Sequence, residues 1–209
     1  MCGAEVVLSE DRKQARCPNA SCPAQLRERL RHLASRTALD IDGLGAARAQ
    51  QLVDAGLVRR LSDIYRLTKE DLLSLEGYAD KAAENLLREI EKSKDTTLPR
   101  FLVALGSALV GERTVTALAR RFRTLEDLMA ASEEELQRVP DVGPEVAHSV
   151  ATFFWEGRNR RVVREMRHAG LTLRNPLARE ARALEGLTFV FTGRLERWSR
   201  TEAERLVEE

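Results

Sequence analysis

Apolar residues recur at helical spacing along most of the chain, and short turns that favour glycine interrupt them at regular intervals. The stretch "IDGLGAARAQQLVDAG", Ile41 to Gly56, places Gly43 and Gly45 just ahead of one such apolar run, and Ala24 to Ala34 upstream reads as another helix. "LSDIYRLTKEDLLSLEGYADKAAENL", from Leu61, aligns without a gap on "LEDLMAASEEELQRVPDVGPEVAHSV", from Leu125. The alignment sets Asp63 on Asp127, Leu72 on Leu136, Leu75 on Val139 and Ala83 on Ala147. Helix starts repeat with it: Thr68 to Asp71 and Ser132 to Glu135 each put a hydroxyl three residues before an acid, the pattern of reciprocal capping. A looser match sets "LGAARAQQLV", from Leu44, on "VGERTVTALA", from Val110. The turn therefore occurs near Gly45, Ala79, Gly111 and Gly143, and this period predicts two short helices and a hairpin per unit. The pattern changes at the end, where Leu187 to Phe191 reads as a buried strand, Thr192-Gly193 as a turn, and Ser199 with Glu202 as the cap of a helix.

Glycine tolerates positive φ and carries no Cβ, so Gly43 and Gly45 permit both a tight reversal and close approach from outside. The first N–H groups of the following helix are unpaired and lie at its positive end, which makes the turn a small anion site suited to phosphate. In each turn an apolar residue, Leu44, Tyr78, Val110 or Val142, lies between the two glycine-favouring positions and can plug between the helices. Unit one has both glycines, unit two has Gly77 but Ala79, unit three has Leu109 before Gly111, and unit four has Asp141 before Gly143. Leucine resists positive φ and aspartate repels phosphate, so units three and four depart from the pattern. Glycines also serve as plain connectors, and arrays of helical pairs that bind proteins repeat with a similar period.

At 209 residues and 43% hydrophobic content the chain can bury one large core or two to three small ones. The absence of a run of transmembrane length and of a secretory pattern predicts a cytoplasmic protein. The net charge of +1 says little, but arginine is concentrated between Arg12 and Arg36 and again between Arg158 and Arg182. Phosphate contact favours arginine, and so does biased base composition. Cys2, Cys17 and Cys22 bracket a small basic segment, with "MCGAEV" at one end and "CPNASCP" at the other. Cysteines paired in tight turns suit tetrahedral zinc, which needs four ligands; His32 is the spare candidate, ten residues beyond Cys22 in the expected helix, and free reduced thiols are the alternative.

The glycine turns resemble those of the helix-hairpin-helix family, which implies binding to the DNA backbone without reading sequence, usually through the minor groove. In order, a cysteine knuckle, four such units and "LEGLTFVFTGRLERWSRTEAERLVEE" resemble the C-terminal half of the bacterial NAD-dependent DNA ligases. The resemblance implies a mainly α fold: a partial zinc finger at 1–24 and a tandem helix-hairpin-helix domain at 25–175, with units near 25–57, 58–92, 98–122 and 123–168, forming a double (HhH)2 domain. A linker at 176–183 and the first strand and helix of an α/β BRCT domain at 184–209 would follow, with Arg158 to Arg182 as a basic helix end and linker. It implies zinc on Cys2, Cys17 and Cys22, with a fourth cysteine three residues before the position of Cys2, upstream of Met1. It implies DNA contacts at Gly43, Leu44, Gly45, Arg48, Gly77, Tyr78, Lys81, Gly111, Arg113 and Gly143, and a BRCT phosphate turn at Thr192 and Gly193. The implied partners are nicked duplex DNA and the N-terminal catalytic half of the same ligase, in the bacterial cytoplasm at the nucleoid, with the chain a monomer and no membrane involved.

The family's NAD and magnesium chemistry uses a lysine followed by Asp-Gly, and no Lys-x-Asp-Gly occurs in this sequence. His32, His148 and His168 offer no evident nucleophile and base pair, so the chain by itself is expected to be non-catalytic. Another tandem helix-hairpin-helix repair protein, a nuclease subunit or junction binder, would explain the repeats but not the cysteines and final segment together. A protein-interaction scaffold would explain the helices but not the glycine turns.

Overall fold

The computed structural model of the chain describes residues 2–8, 15–17, 19, 21–106, 111–178, 190, 199 and 202. Over these residues the apolar period becomes a succession of short helices whose buried stripes face one another. α1 (Leu26–Leu33) and α2 (Ala46–Asp54) flank the first turn. A 3-10 helix (Leu61–Arg66) and α3 (Lys69–Leu73) lead into the second turn and α4 (Asp80–Lys92). α5 (Leu98–Ala104) and α6 (Glu112–Arg121) flank the third turn. α7 (Leu125–Ala130) and α8 (Glu133–Gln137) precede the fourth turn and α9 (Pro144–Trp155), after which α10 (Gly157–His168) follows. Helices packed across a turn are α1 with α2, α3 with α4, α5 with α6, and α8 with α9. Arg158 to Arg167 stand in α10, whose last turn carries Arg167 and His168.

Two small sheets complete the fold. β1 (Val7–Leu8) and β2 (Ala15–Arg16) pair antiparallel in the cysteine segment. β3 (Asp95–Thr97) and β4 (Thr172–Arg174) pair parallel, with Asp95 opposite Thr172 and Thr97 opposite Arg174. Neither has an apolar alternation long enough to announce it.

The repeat is one of packing and caps. Leu72, Leu136, Ala83 and Ala147 are all buried, and Leu75 and Val139 pack on the same core. Thr68 with Asp71 and Ser132 with Glu135 make the reciprocal bonds of a capping box, and Thr124 with Asp127 adds another. Asp63, the counterpart of Asp127, accepts the backbone N–H groups of Arg59 and Arg60 at 2.9 Å. Met1–Ala178 is one compact unit with a core continuous from Leu26 to Leu171. Polar ties between repeats reinforce it: Glu165 of α10 accepts from Arg60 at 2.8 Å and Ser62 at 2.7 Å, and Arg100 donates to the carbonyls of Ala38 and Arg36. Because Leu72 and Leu136 fill equivalent places, Leu72→Ala and Leu136→Ala should each cost about 2–5 kcal/mol, read as a lower denaturant midpoint at unchanged slope. A cost below about 1 kcal/mol at either would show that the site collapses freely and that the repeat is not a packing unit.

Arg179–Glu209 is the second unit. In it Ser199 and Glu202 make the expected cap: the Ser199 N–H donates to the Glu202 carboxylate at 2.8 Å, and the Glu202 N–H donates to the Ser199 hydroxyl at 3.3 Å. Val190 is exposed rather than buried in a strand, while the rest of Leu187 to Phe191, together with Thr192 and Gly193, lies outside the described residues.

Candidate nucleic-acid interface and metal site

The hairpin turns share one construction. The N–H of Leu44 donates to the Ile41 carbonyl, that of Tyr78 to Leu75, and that of Val142 to Val139, at 3.3, 3.4 and 3.1 Å. The residue before each donor has positive φ, as at the third position of a type II turn: Gly43 at 82°, Gly77 at 77° and Asp141 at 64°. Leu44 and Val142 are buried and plug their hairpins as expected; Tyr78 is half-buried. Leu109 and Val110 lie outside the described residues.

The second glycine position does a different job from the first. Gly45, Ala79, Gly111 and Gly143 are the N-caps of α2, α4, α6 and α9, with φ of −77°, −99°, −70° and −75°. These are ordinary values for any residue, so the expectation that Gly43 and Gly45 alike serve the tight reversal is corrected: only the first position demands glycine-like freedom. What distinguishes the second position is space, since a Cβ at Gly45, Gly111 or Gly143 would meet no atom within 4 Å. None of the four N-termini carries a side-chain cap, whereas α3, α7 and α8 all do. The first N–H groups of α2 and α6 therefore open outward at exposed positions, whereas in α4 the Ala82 N–H is bonded to the Ala79 carbonyl at 2.9 Å and α9 begins with Pro144, which has no N–H.

Side chains differentiate the four. Arg48, expected to offer its charge to DNA, turns to the second hairpin: it donates to the Gly77 carbonyl at 3.1 Å and lies 3.9 Å above the Tyr78 ring. Gln51 donates to the Glu76 carbonyl at 3.1 Å, so α2 holds the first and second turns side by side. The second turn is acidic, with Asp80 opening α4 and Lys69 bound to both Asp80 and Glu84 at 2.7 Å. Lys81 is exposed beside it. The fourth turn has Asp141 in the turn and Glu145 in the first turn of α9. At the third, Arg113 is exposed and Arg120 and Arg121 end α6. At the first, Asp42 accepts the Gly43 N–H at 2.9 Å, leaving the N–H groups that follow Gly45.

The cysteines come together. The sulfurs of Cys2, Cys17 and Cys22 lie within 4.8 Å of one another, with Cys2 and Cys17 3.4 Å apart. Sulfurs arranged tetrahedrally about 2.3 Å from zinc lie roughly 3.8 Å apart, so this donor set fits the metal in chemistry and spacing. The Ala4 N–H, the Asn19 side chain and Cys17 lower the Cys2 thiol to about 6, while burial and Cys2 push Cys17 up to about 11. Asn19, itself buried, closes the knuckle by accepting the Ser21 N–H at 2.9 Å while its carbonyl takes the Cys22 N–H at 3.1 Å. Its place between two cysteines in "CPNASC" was the only sequence signal for this role. His32 is corrected as the spare ligand, because its Nε2 pairs with the Val103 carbonyl at 2.8 Å and so ties α1 to α5. His148 pairs with Glu133 at 3.1 Å on the surface, and His168 is exposed.

Residues 35–92 match the family described as SAM-like helix-hairpin-helix tandem, and residues 100–163 match the helix-hairpin-helix motif family. Over 210 aligned residues the chain is 59% identical to a protein named DNA ligase from Salinibacter ruber, covering 100% of this chain and 30% of that protein. It is 46% identical to a DNA ligase from Koribacter versatilis, covering 100% of this chain and 31% of that protein. It is 48% identical to one from Acidobacterium capsulatum, covering 99% and 31%. The chain thus spans under a third of the length of these curated relatives, in their C-terminal part. No helix among the described residues is long and apolar enough to cross a membrane.

Proposed function

We infer that this chain, homologous over its whole length to the DNA ligases, is the part of such an enzyme that grips duplex DNA by its phosphates while another part seals the nick. The observation that carries this reading is the set of uncapped helix N-termini at Gly45, Ala79, Gly111 and Gly143, all carried on one compact unit. Phosphate oxygens accept backbone N–H groups without regard to base, so the grip is indifferent to sequence and suited to a nick anywhere in the genome. The first and third turns are the main contacts, since the first has open N–H groups at Gly45 and the third has Gly111 and Arg113. The acidic second turn, with Arg48 folded over it, braces the first, and Asp141 and Glu145 weaken the fourth. Lys81, Leu44, Tyr78, Gly43 and Gly77 act through the shape of the turns or at their rim.

In this reading the NAD and magnesium chemistry belongs to the catalytic half of the same ligase, in the bacterial cytoplasm, and Thr192 and Gly193 open a BRCT domain. Cys2, Cys17 and Cys22 hold a structural zinc ion, with the fourth cysteine at the place the family resemblance gives it, three residues before Cys2. Zinc there supplies a cross-link, and the chain's own part is to bring three sulfurs to one point and shield them with Asn19.

Titration of the chain with nicked duplexes of unrelated sequence tests the grip. Affinity should be equal across sequences and fall with salt along a log-log slope of roughly 0.9 per phosphate neutralised. Binding no tighter than that of a neutral helical bundle, or a strong preference for one base sequence, would reject the reading in favour of a protein-binding scaffold or a sequence reader.

A further inference from the structure

Arg29 presents an unusual state for a guanidinium. It projects from α1 toward the cysteine segment, where its Nη2 donates to the Cys17 carbonyl at 3.0 Å and to Gln25 at 3.0 Å, and its Nε donates to Gln25 at 3.2 Å. Its Nη1 is buried with no hydrogen-bond partner, and no ion pair among the described residues gives it a carboxylate. Guanidinium does not lose its proton in proteins, so burying it without an anion is costly.

Three thiolates around one divalent ion carry a net charge of −1, and four carry −2, so a metal-loaded cluster would be the anion that this arginine lacks. We propose that Arg29 is the positioning residue of the cysteine metal centre, holding Cys17 by its carbonyl and offsetting the negative charge of the metal-bound sulfurs. The inference rests on the reading of the cysteines as a metal site. It gives the first helix of the DNA-gripping body a direct electrostatic link to the segment before it.

The test is competition for zinc between the full chain and a chromophoric chelator, with metal-free and zinc-loaded melting measured in parallel. Arg29→Met should bind zinc about 10- to 100-fold more weakly, the range found when groups behind metal ligands are removed. Arg29→Lys, which keeps the charge, should recover part of that loss. The metal-free melting point of Arg29→Met should stay unchanged or rise, since an unpaired buried charge has been removed, while the rise on adding zinc should shrink. Unchanged zinc affinity in Arg29→Met overturns the proposal, and so does an equal fall of melting point with and without zinc, which would mark Arg29 as plain packing. Failure to bind zinc both in the unaltered chain and in one with a cysteine restored three residues before Cys2 overturns the metal reading and the role of Arg29 with it.

Discussion

A Gly45→Val chain is expected to fold normally and to bind nicked duplex about 10- to 100-fold more weakly, the worth of roughly one lost hydrogen bond between backbone N–H and a charged oxygen. The backbone at Gly45, with φ −77° and ψ −176°, is one that valine adopts readily, and its Cβ would point into open space. The stability cost is confined to exchanging glycine for a poorer N-cap, at most about 1 kcal/mol. That open space is where a phosphate would approach the N–H groups of α2, so the side chain acts on binding and hardly on folding. Gly43→Val should behave in the reverse order. At φ 82° a left-handed residue costs about 1–2 kcal/mol before any contact is considered, so melting falls first and binding follows it. Gly43→Asn should be milder, because Asp141 already occupies the same conformation at 64°. Helical circular dichroism, melting and duplex affinity measured on the three variants separate the two effects. A folded Gly45→Val with undiminished affinity would reduce "IDGLG" to a connector.

Cys22→Ser should abolish metal uptake and release the segment before α1, while leaving the helical core intact. Structural zinc in zinc-finger peptides contributes an apparent 10 to 16 kcal/mol or so, far more than a two-residue β1–β2 ladder can replace. The core from Leu26 onward is built without that segment, so its melting should change little. Amide exchange with and without a chelator locates the loss: protection should vanish at the described residues up to Cys22 and persist in α4 and α9. Metal uptake should also weaken on acidification. With Cys17 pushed up to about 11, the metal must displace its proton at neutral pH, and each fall in pH makes that harder. Identical exchange in chelator-treated and zinc-loaded chain would remove the metal from the account of this segment.

What could be foreseen from the residues was whatever is decided within a few positions. Thr68 with Asp71, Ser132 with Glu135 and Ser199 with Glu202 cap as their spacing requires, and Leu44 and Val142 plug their turns, because these depend on local geometry. The equivalence of Leu72 and Leu136 was visible because a packing repeat leaves a periodic trace. The two glycines of one turn looked interchangeable in sequence, yet one is needed for φ and the other for space, and composition does not separate those needs. Long-range partners left no trace: nothing near Arg48 announces Tyr78, nothing near His32 announces Val103, and nothing near Glu165 announces Arg60 and Ser62. Arg29 was one arginine among several until the fold buried one of its nitrogens and set another on the Cys17 carbonyl.

The parallel pairing of β3 with β4 has a mechanical consequence. Residues 95–97 precede the third hairpin and residues 172–174 follow α10, so the ladder clasps the chain around everything between them. A pull toward the N-terminus drags β3 backward, and a pull toward the C-terminus drags β4 forward. In parallel strands these forces slide one strand along the other instead of peeling it away, so the ladder bonds are loaded together. Tension passing through the chain while it is held on DNA would therefore cross the clasp and bypass the third and fourth hairpins, which stay slack until the strands slip.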